Sequence, residues 1–224
     1  MASITVFDMA RTSGPETRER LIRAAEEIFA AQGTDGAQLR DIVRLAGQSN
    51  PSAVQYHFGS RAGLLDAVMA GRQARTERVI APLLDALDNT DATGDEGPGV
   101  RELLAALVTA ESSLLADDRG RRCLRISAQL SRETGLRTGT PHPALDGTAY
   151  GRVIGRMADC LTELPGPLRL ERLDLALTLI GAAFADRARQ YLDGVEPLTG
   201  EELFLADLVA TTTAFLHAPV PRTA

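Results

Sequence analysis

The segment Gly47–Arg61, GQSNPSAVQYHFGSR, gathers side chains of the kinds that hydrogen-bond phosphates and base edges. Ser49, Asn50 and Ser52 bring short hydroxyl and amide groups, and Ala53 lies among them. The Gln55 amide has the geometry to pair in bidentate fashion with an adenine edge. Tyr56 and His57 offer donors to phosphate oxygens, as does Arg61, which follows Ser60 at the start of a new helical pattern. Arg40, a little upstream, is a further phosphate candidate. Each has a plainer role open to it: capping and solvation for the small polar residues, local packing for Tyr56 and His57, solvation for Arg40. Val54 and Phe58, apolar on the same short stretch, are expected in the core.

Catalytic chemistry finds no such grouping. His57, His142 and His217 are the three histidines, and none has the spacing of a Ser/His/Asp, Cys/His or metal-ligand arrangement. No glycine-rich phosphate loop follows a strand. The carboxylate pairs Glu26-Glu27 and Glu201-Glu202 sit at helix positions that solvent explains. We therefore expect no catalytic residue, no metal and no cofactor. Cys123 and Cys160 are too few for a disulfide framework and read as core thiols.

Helices must position the polar segment. Apolar residues recur at spacings of three and four nearly throughout, which predicts an all-helical fold. Ser13 with Glu16 forms a capping box ahead of a first helix over 14–32, burying Leu21, Ala25, Ile28 and Phe29 and stopping at Gly33. A second, short helix is predicted over 39–46 and ends at Gly47. Asn50 as a cap, with Pro51 at the first helical position, starts a third that runs to about His57. Gly59 stops it, and Ser60 caps a fourth that runs towards Ala81, where Pro82 should kink or end it. Two short helices joined by a tight turn and braced by longer neighbours make a helix-turn-helix, whose second member fits a major groove.

The stretches IFAAQG, LRDIVRLAG and AVQYHFGSRAGLLDAV resemble the N-terminal domain of the TetR family of bacterial transcriptional regulators. The resemblance spans about 17–68. It implies binding of double-stranded operator DNA by Arg40, Ser49, Asn50, Ser52, Ala53, Gln55, Tyr56, His57, Ser60 and Arg61. This chain departs from the family pattern in its turn, Gly47-Gln48-Ser49-Asn50, which is one residue longer. It also has Gln55 where the family usually has a tyrosine, and Gln38 where a threonine usually caps the second helix.

The net charge of −6 opposes a DNA role only until it is divided. Residues 1–75 hold nine arginines against eight acidic residues, and the remainder fifteen against twenty-two. The acidity belongs to the C-terminal part. There is no lysine, so all 24 basic residues are arginine.

At 224 residues with 44% hydrophobic content the chain has ample material for a buried core. No run approaches the roughly 18 apolar residues of a membrane span, so no membrane role and a cytoplasmic location are expected. A loose tail is predicted over 1–12, the helix-turn-helix domain over 13–61, a larger helical domain over 62–218 and a second tail over 219–224. Within the larger domain, 88–99 and the segment GLRTGTPHPALDG are predicted loops. Helices are predicted over 100–116, 118–133, 145–164, 168–192 and 200–217.

On the resemblance, this larger domain binds a ligand and makes a homodimer. One stripe, Leu173, Leu177, Ile180, Phe184, Ala188 and Tyr191, and a second, Phe204, Leu208, Thr212 and Phe215, are expected in a four-helix interface between subunits. Leu175, Leu179, Ala182 and Ala183 extend the apolar character round the first of these helices. The alternative is that the stripes complete a monomer's core. Family members typically hold a small apolar or amphipathic ligand among the middle helices. Candidate walls are Leu103, Leu107, Cys123, Ile126, Leu130, Val153, Met157 and Phe184, with Gln129 and His142 as polar orienters; packed core is the plainer reading of each. The expected function is a dimeric repressor released from operator DNA by an unidentified ligand. The alternatives are a helical protein-interaction module or an activator without a small-molecule inducer.

Overall fold

The computed structural model describes residues 14–50, 52–91, 99–130 and 145–220. Both predicted tails in large part, Ser13 of the capping box, Pro51, most of the predicted loop 88–99, residues 131–133 and the loop containing His142 lie outside the described residues. Among the described residues all regular structure is helical. The chain divides into two compact units, one up to Val68 and one from Met69 onward.

The first unit comprises α1 (Gly14–Gln32), α2 (Leu39–Leu45), α3 (Ser52–Phe58) and the opening turns of α4 (Arg61–Asp91). Leu21, Ala25, Phe29, Ile42, Leu64 and Val68 have no exposed surface and form its core. Ile28 is half-buried. Gln38 precedes α2 in extended conformation and gives no side-chain cap, as its residue type predicts. The other end of α2 is well closed. Gly47 takes φ 68°, and the N–H groups of Gly47 and Gln48 donate to the carbonyls of Arg44 and Val43 at 3.0 Å each. That pair of bonds is a Schellman closure, which needs a left-handed residue and so glycine.

The second unit contains the remainder of α4, then α5 (Val100–Ser112), a 3₁₀ turn (Ser113–Ala116), α6 (Asp118–Leu130), α7 (Ala149–Cys160), α8 (Gly166–Leu192) and α9 (Glu201–Leu216). The closely packed pairs are α6 with α8, α5 with α9, α5 with α7, and α8 with α9. Leu103, Leu107, Leu114, Val153, Phe184 and Leu216 are wholly buried at their centre.

Three expectations change here. The α4 helix neither ends at Pro82 nor stops at Ala81 but runs on to Asp91. A proline inside a helix removes one N–H, here the one that would serve the Arg78 carbonyl, yet Pro82 faces solvent while Ile80 and Leu84 are buried on either side and hold the helix to the core. The predicted helix over 145–164 shrinks to α7, because Thr148 adopts extended backbone and its hydroxyl accepts from the Gly151 N–H. Cys123 is buried as expected, but Cys160, at the last position of α7, is exposed.

Buried arginines tie the last helices together. Arg172 of α8 donates to the carbonyls of Leu216, Ala218 and Pro219, closing the C-terminal end of α9. Arg187 lies 4.1 Å from the Phe204 ring centroid and donates to the Thr199 carbonyl at 2.8 Å. Carbonyls at a helix C-terminus have no partner within the helix, so a cation at that position satisfies them and their dipole together.

Candidate nucleic-acid interface

The short helix α3 is set by its first residues. The Asn50 Oδ1 accepts the Ser52 N–H at 2.9 Å and its carbonyl accepts the Ala53 N–H at 3.1 Å, which is the capping role its type predicts. At the other end the Gly59 N–H donates to the Gln55 carbonyl at 3.0 Å, and Gly59, at φ 72°, turns the chain out of the helix. Ser60 then caps α4 by accepting the Gly63 N–H at 3.0 Å.

Two anchors fix the inward side of α3. Val54 is 2% exposed. Phe58, half-buried, lies under the Arg18 guanidinium at 5.1 Å, a cation–π contact from α1. With Val54 and Phe58 inward, Ser52, Gln55 and Tyr56 stand in solvent, and Tyr56 is 83% exposed. A large aromatic that exposed on a helix held at both ends contributes little to packing its own unit. His57 is half-buried, edge-on to Tyr56 at 4.8 Å between centroids, with Phe58 on its other side at 6.1 Å. Ala53 is half-buried, while Arg40, Ser49, Asn50 and Ser60 are exposed.

Arg61 departs from the expectation. Its guanidinium donates to the Thr34 carbonyl and, at 3.2 Å, to the Ala37 carbonyl, and it stands 5.3 Å over the Phe29 ring. These carbonyls lie in the link between α1 and α2. Arg61 therefore braces the scaffold, and its cation is committed inside the unit. Gly63 has a role that the residue pattern did not single out. A Cβ there would sit 2.1 Å from the Phe58 carbonyl oxygen, so only glycine lets α4 begin this close to the end of α3. Its signal in the sequence is a glycine three residues after a serine cap. Glu26, expected in solvent, is 3% exposed, while Glu201 and Glu202 do face solvent.

The family model described as "Bacterial regulatory proteins, tetR family" matches residues 21–68. Over this segment the chain is similar to the tetR family. Two relatives from Pseudomonas putida are each 45% identical over 67 residues, or 30% of this chain. One is the HTH-type transcriptional regulator SrpR, 31% of whose length is covered; the other is the uncharacterized HTH-type transcriptional regulator TtgW, covered over 49%. The chain thus spans between about a third and a half of the length of these curated relatives. Solved structures of similar fold include a tetR-family regulatory protein from Rhodococcus RHA1, 18% identical at TM-score 0.50 over 92% of this chain and 98% of that one. Another is the fatty acid degradation regulator FadR from Bacillus halodurans, 16% identical at TM-score 0.50 over 95% and 100%.

Beyond the segment that matches the family model, the residues read as pocket and interface fall into a different pattern. Leu103, Leu107, Cys123, Ile126, Val153, Met157 and Phe184 are at most 3% exposed. Leu130 is half-buried, and Gln129 is exposed, its amide donating to the Arg125 carbonyl at 3.3 Å, so it does not face the interior. Leu173, Ile180, Phe184, Leu208 and Thr212 are buried within the second unit's own core, with Leu177, Tyr191, Phe204 and Phe215 packed against or beside them. The physical reason is that α8 and α9 are apolar nearly all round, so periodicity alone does not say which face meets the chain's own core. The outward faces carry Leu175, Leu179 and Ala182 on α8, and Leu203, Ala206, Ala210 and Ala214 on α9, with Leu203 61% exposed.

Proposed function

We propose that the chain is a sequence-specific DNA-binding transcriptional regulator, a homodimeric repressor that leaves operator DNA when a small apolar or amphipathic ligand binds. The observation that carries the DNA reading is α3 itself. Its inward side is pinned by Val54 and Phe58, and its outward side offers Ser52, Gln55 and Tyr56 on a helix started by an exposed Asn50. Gln55 reads a base edge in the major groove; Arg40, Ser49, Tyr56 and His57 hold phosphates. No described helix is long and apolar enough to cross a membrane.

The dimer contact is assigned to the outward stripes, Leu175, Leu179 and Ala182 with Leu203, Ala206, Ala210 and Ala214. Small residues at helical spacing let two helices approach closely, and exposed leucines among them would otherwise remain in water. Two copies present two α3 helices to successive major grooves on one face of the duplex. Release by a ligand requires that it bind the DNA-incompetent state better, since a ligand indifferent to the two states shifts nothing. The test is selection of bound duplexes from a random library by the purified chain, followed by transcription from a promoter carrying the selected site. Enrichment of a two-fold symmetric motif and reduced transcription are expected; absence of any enriched motif would overturn the reading.

A further inference from the structure

Inside the second unit a charged pair is buried where apolar packing would be expected. The Nη2 of Arg72 on α4 donates to both carboxylate oxygens of Glu111 on α5 at 2.6 Å, with side chains 14% and 5% exposed. Tyr150 of α7 is hydrogen-bonded to the same guanidinium, and the Cys123 thiol of α6 is close enough to feel its charge. Four helices thus send a polar group to one place. Burial opposes the charged form of Arg72, but Glu111, Tyr150 and Cys123 together more than offset this, and burial holds the Tyr150 phenol in its protonated form. A buried ion pair of this kind is a poor route to stability compared with well-packed apolar side chains.

Two further observations bear on this cluster. The Arg72 Nε is buried with no hydrogen-bond partner, as are those of Arg20 and Arg169, but at Arg72 it lies beside a buried ion pair and a buried phenol. A buried donor left unpaired is costly, and an added acceptor at this place would relieve that cost. In addition, α4 is absent from the closely packed helix pairs of this unit. Ile80 and Leu84 hold the later turns of α4 in the core, and polar side chains bridge to the rest of the unit: Arg72 to Glu111, Arg75 to Asp117, Glu77 to the N–H groups opening α7, and Asp88 to Arg156. Around Arg72, where polar side chains make the junction, the helix is easier to part for a guest than helices packed backbone to backbone.

We propose that Arg72, Glu111 and Tyr150 form the polar end of a binding site for an uncharged, mainly apolar molecule carrying a hydrogen-bond-accepting oxygen, such as a medium-chain ketone or ester. The charge balance selects the class. Glu111 already matches the Arg72 charge, so an anion or a cation would leave one charge uncompensated in an apolar surround, whereas a neutral oxygen accepts the Arg72 Nε–H with no such penalty. Leu107, one turn from Glu111 on α5, and Val153 and Met157, following Tyr150 along α7, are wholly or almost wholly buried and supply an apolar lining for the carbon chain. This inference rests on the ligand-release reading only for the consequence of binding, not for the site.

Calorimetric titration of the full chain with octan-2-one, octanoate and octylammonium tests it. We expect saturable binding of the ketone, one per chain and at least about tenfold tighter than either ion. Arg72→Lys keeps a charge partner for Glu111 but has no Nε–H, and should weaken ketone binding about tenfold. Tyr150→Phe checks the second donor and should weaken it by a smaller factor, with circular dichroism confirming that both variants fold. Preference for either ion, no binding of the ketone to the unsubstituted chain, or equal ketone binding by folded Arg72→Lys would overturn the site. Binding of the ketone without any change in DNA affinity would support the site and remove the ligand-release part of the function. Loss of the site with DNA recognition intact would leave the DNA reading standing.

Discussion

Gln55 and Tyr56 are adjacent in sequence and exposed together, yet the DNA reading gives them different tasks. An amide that reads a base edge discriminates between sequences, so Gln55→Ala should change the ranking of operator variants, with about 1–3 kcal/mol lost at one position of the site. Tyr56→Phe removes a phosphate donor and should weaken every duplex by a similar factor. Competition binding against a panel of single-base variants separates the two. Equal losses on all variants for Gln55→Ala would argue against base reading. Arg61 belongs to neither class. With its cation held by the Thr34 and Ala37 carbonyls over Phe29, Arg61→Ala should lower the melting temperature while leaving the salt slope of DNA binding unchanged. The polar character of α3 and the capping by Asn50 were legible in the sequence because both follow from residue type at a helix start. The inward turn of Arg61 was not, since it depends on carbonyls more than twenty residues away in the chain.

At the scale of elements, helix starts were more legible than helix ends. α1, α2, α5 and α6 begin where their caps, acidic first turns or preceding breakers place them, whereas Pro82 fails to stop α4 because the burial of Ile80 and Leu84 outweighs one lost hydrogen bond. Asp117 gives the sharpest test of such a start. Its carboxylate accepts the Gly120 N–H at 2.7 Å and pairs with Arg75 at 2.7 Å, so hydrogen bonding from Arg75 holds its carboxyl below the ordinary value of 3.8. A carboxyl lowered in the folded state adds stability at pH above its ordinary value, and that stability is lost as pH falls through the lowered value. Asp117→Asn should therefore flatten the fall in stability just below the ordinary carboxylate range. Asp117→Ala should cost about 1 kcal/mol near neutral pH through loss of the cap. Urea unfolding at a series of pH values reads both. Gly63→Ala should be more damaging to DNA binding than its exposure implies, since the added methyl must push the Phe58 carbonyl and with it the end of α3.

Across the whole molecule, the two long apolar helices were legible in the sequence, but which of their faces turns inward was not. Leu173, Ile180 and Phe184 form a clear stripe, yet a stripe on a helix apolar all round has two possible coverings, its own core and a second copy. Their burial makes different variants diagnostic. Phe184→Asp puts a charge into a core position with no exposed surface and should unfold the second unit. Leu179→Asp and Leu203→Asp replace leucines that are 45% and 61% exposed and should leave each chain folded while shifting sedimentation to the monomer and weakening operator binding. Dimers that persist in both variants would move the contact elsewhere.

The central claim is that exposed polar side chains on α3 recognise a duplex. The most direct measurement is fluorescence anisotropy of the purified chain on a duplex selected from a random library, in parallel with a scrambled duplex, at low and physiological salt, for the unsubstituted protein and for a Gln55→Ala/Tyr56→Ala variant of unchanged melting temperature. A preference of at least about a thousandfold for the selected duplex at physiological salt is expected, lost in large part by the double variant. Equal affinity for selected and scrambled duplexes, or a double variant that binds as the unsubstituted protein does, would contradict it.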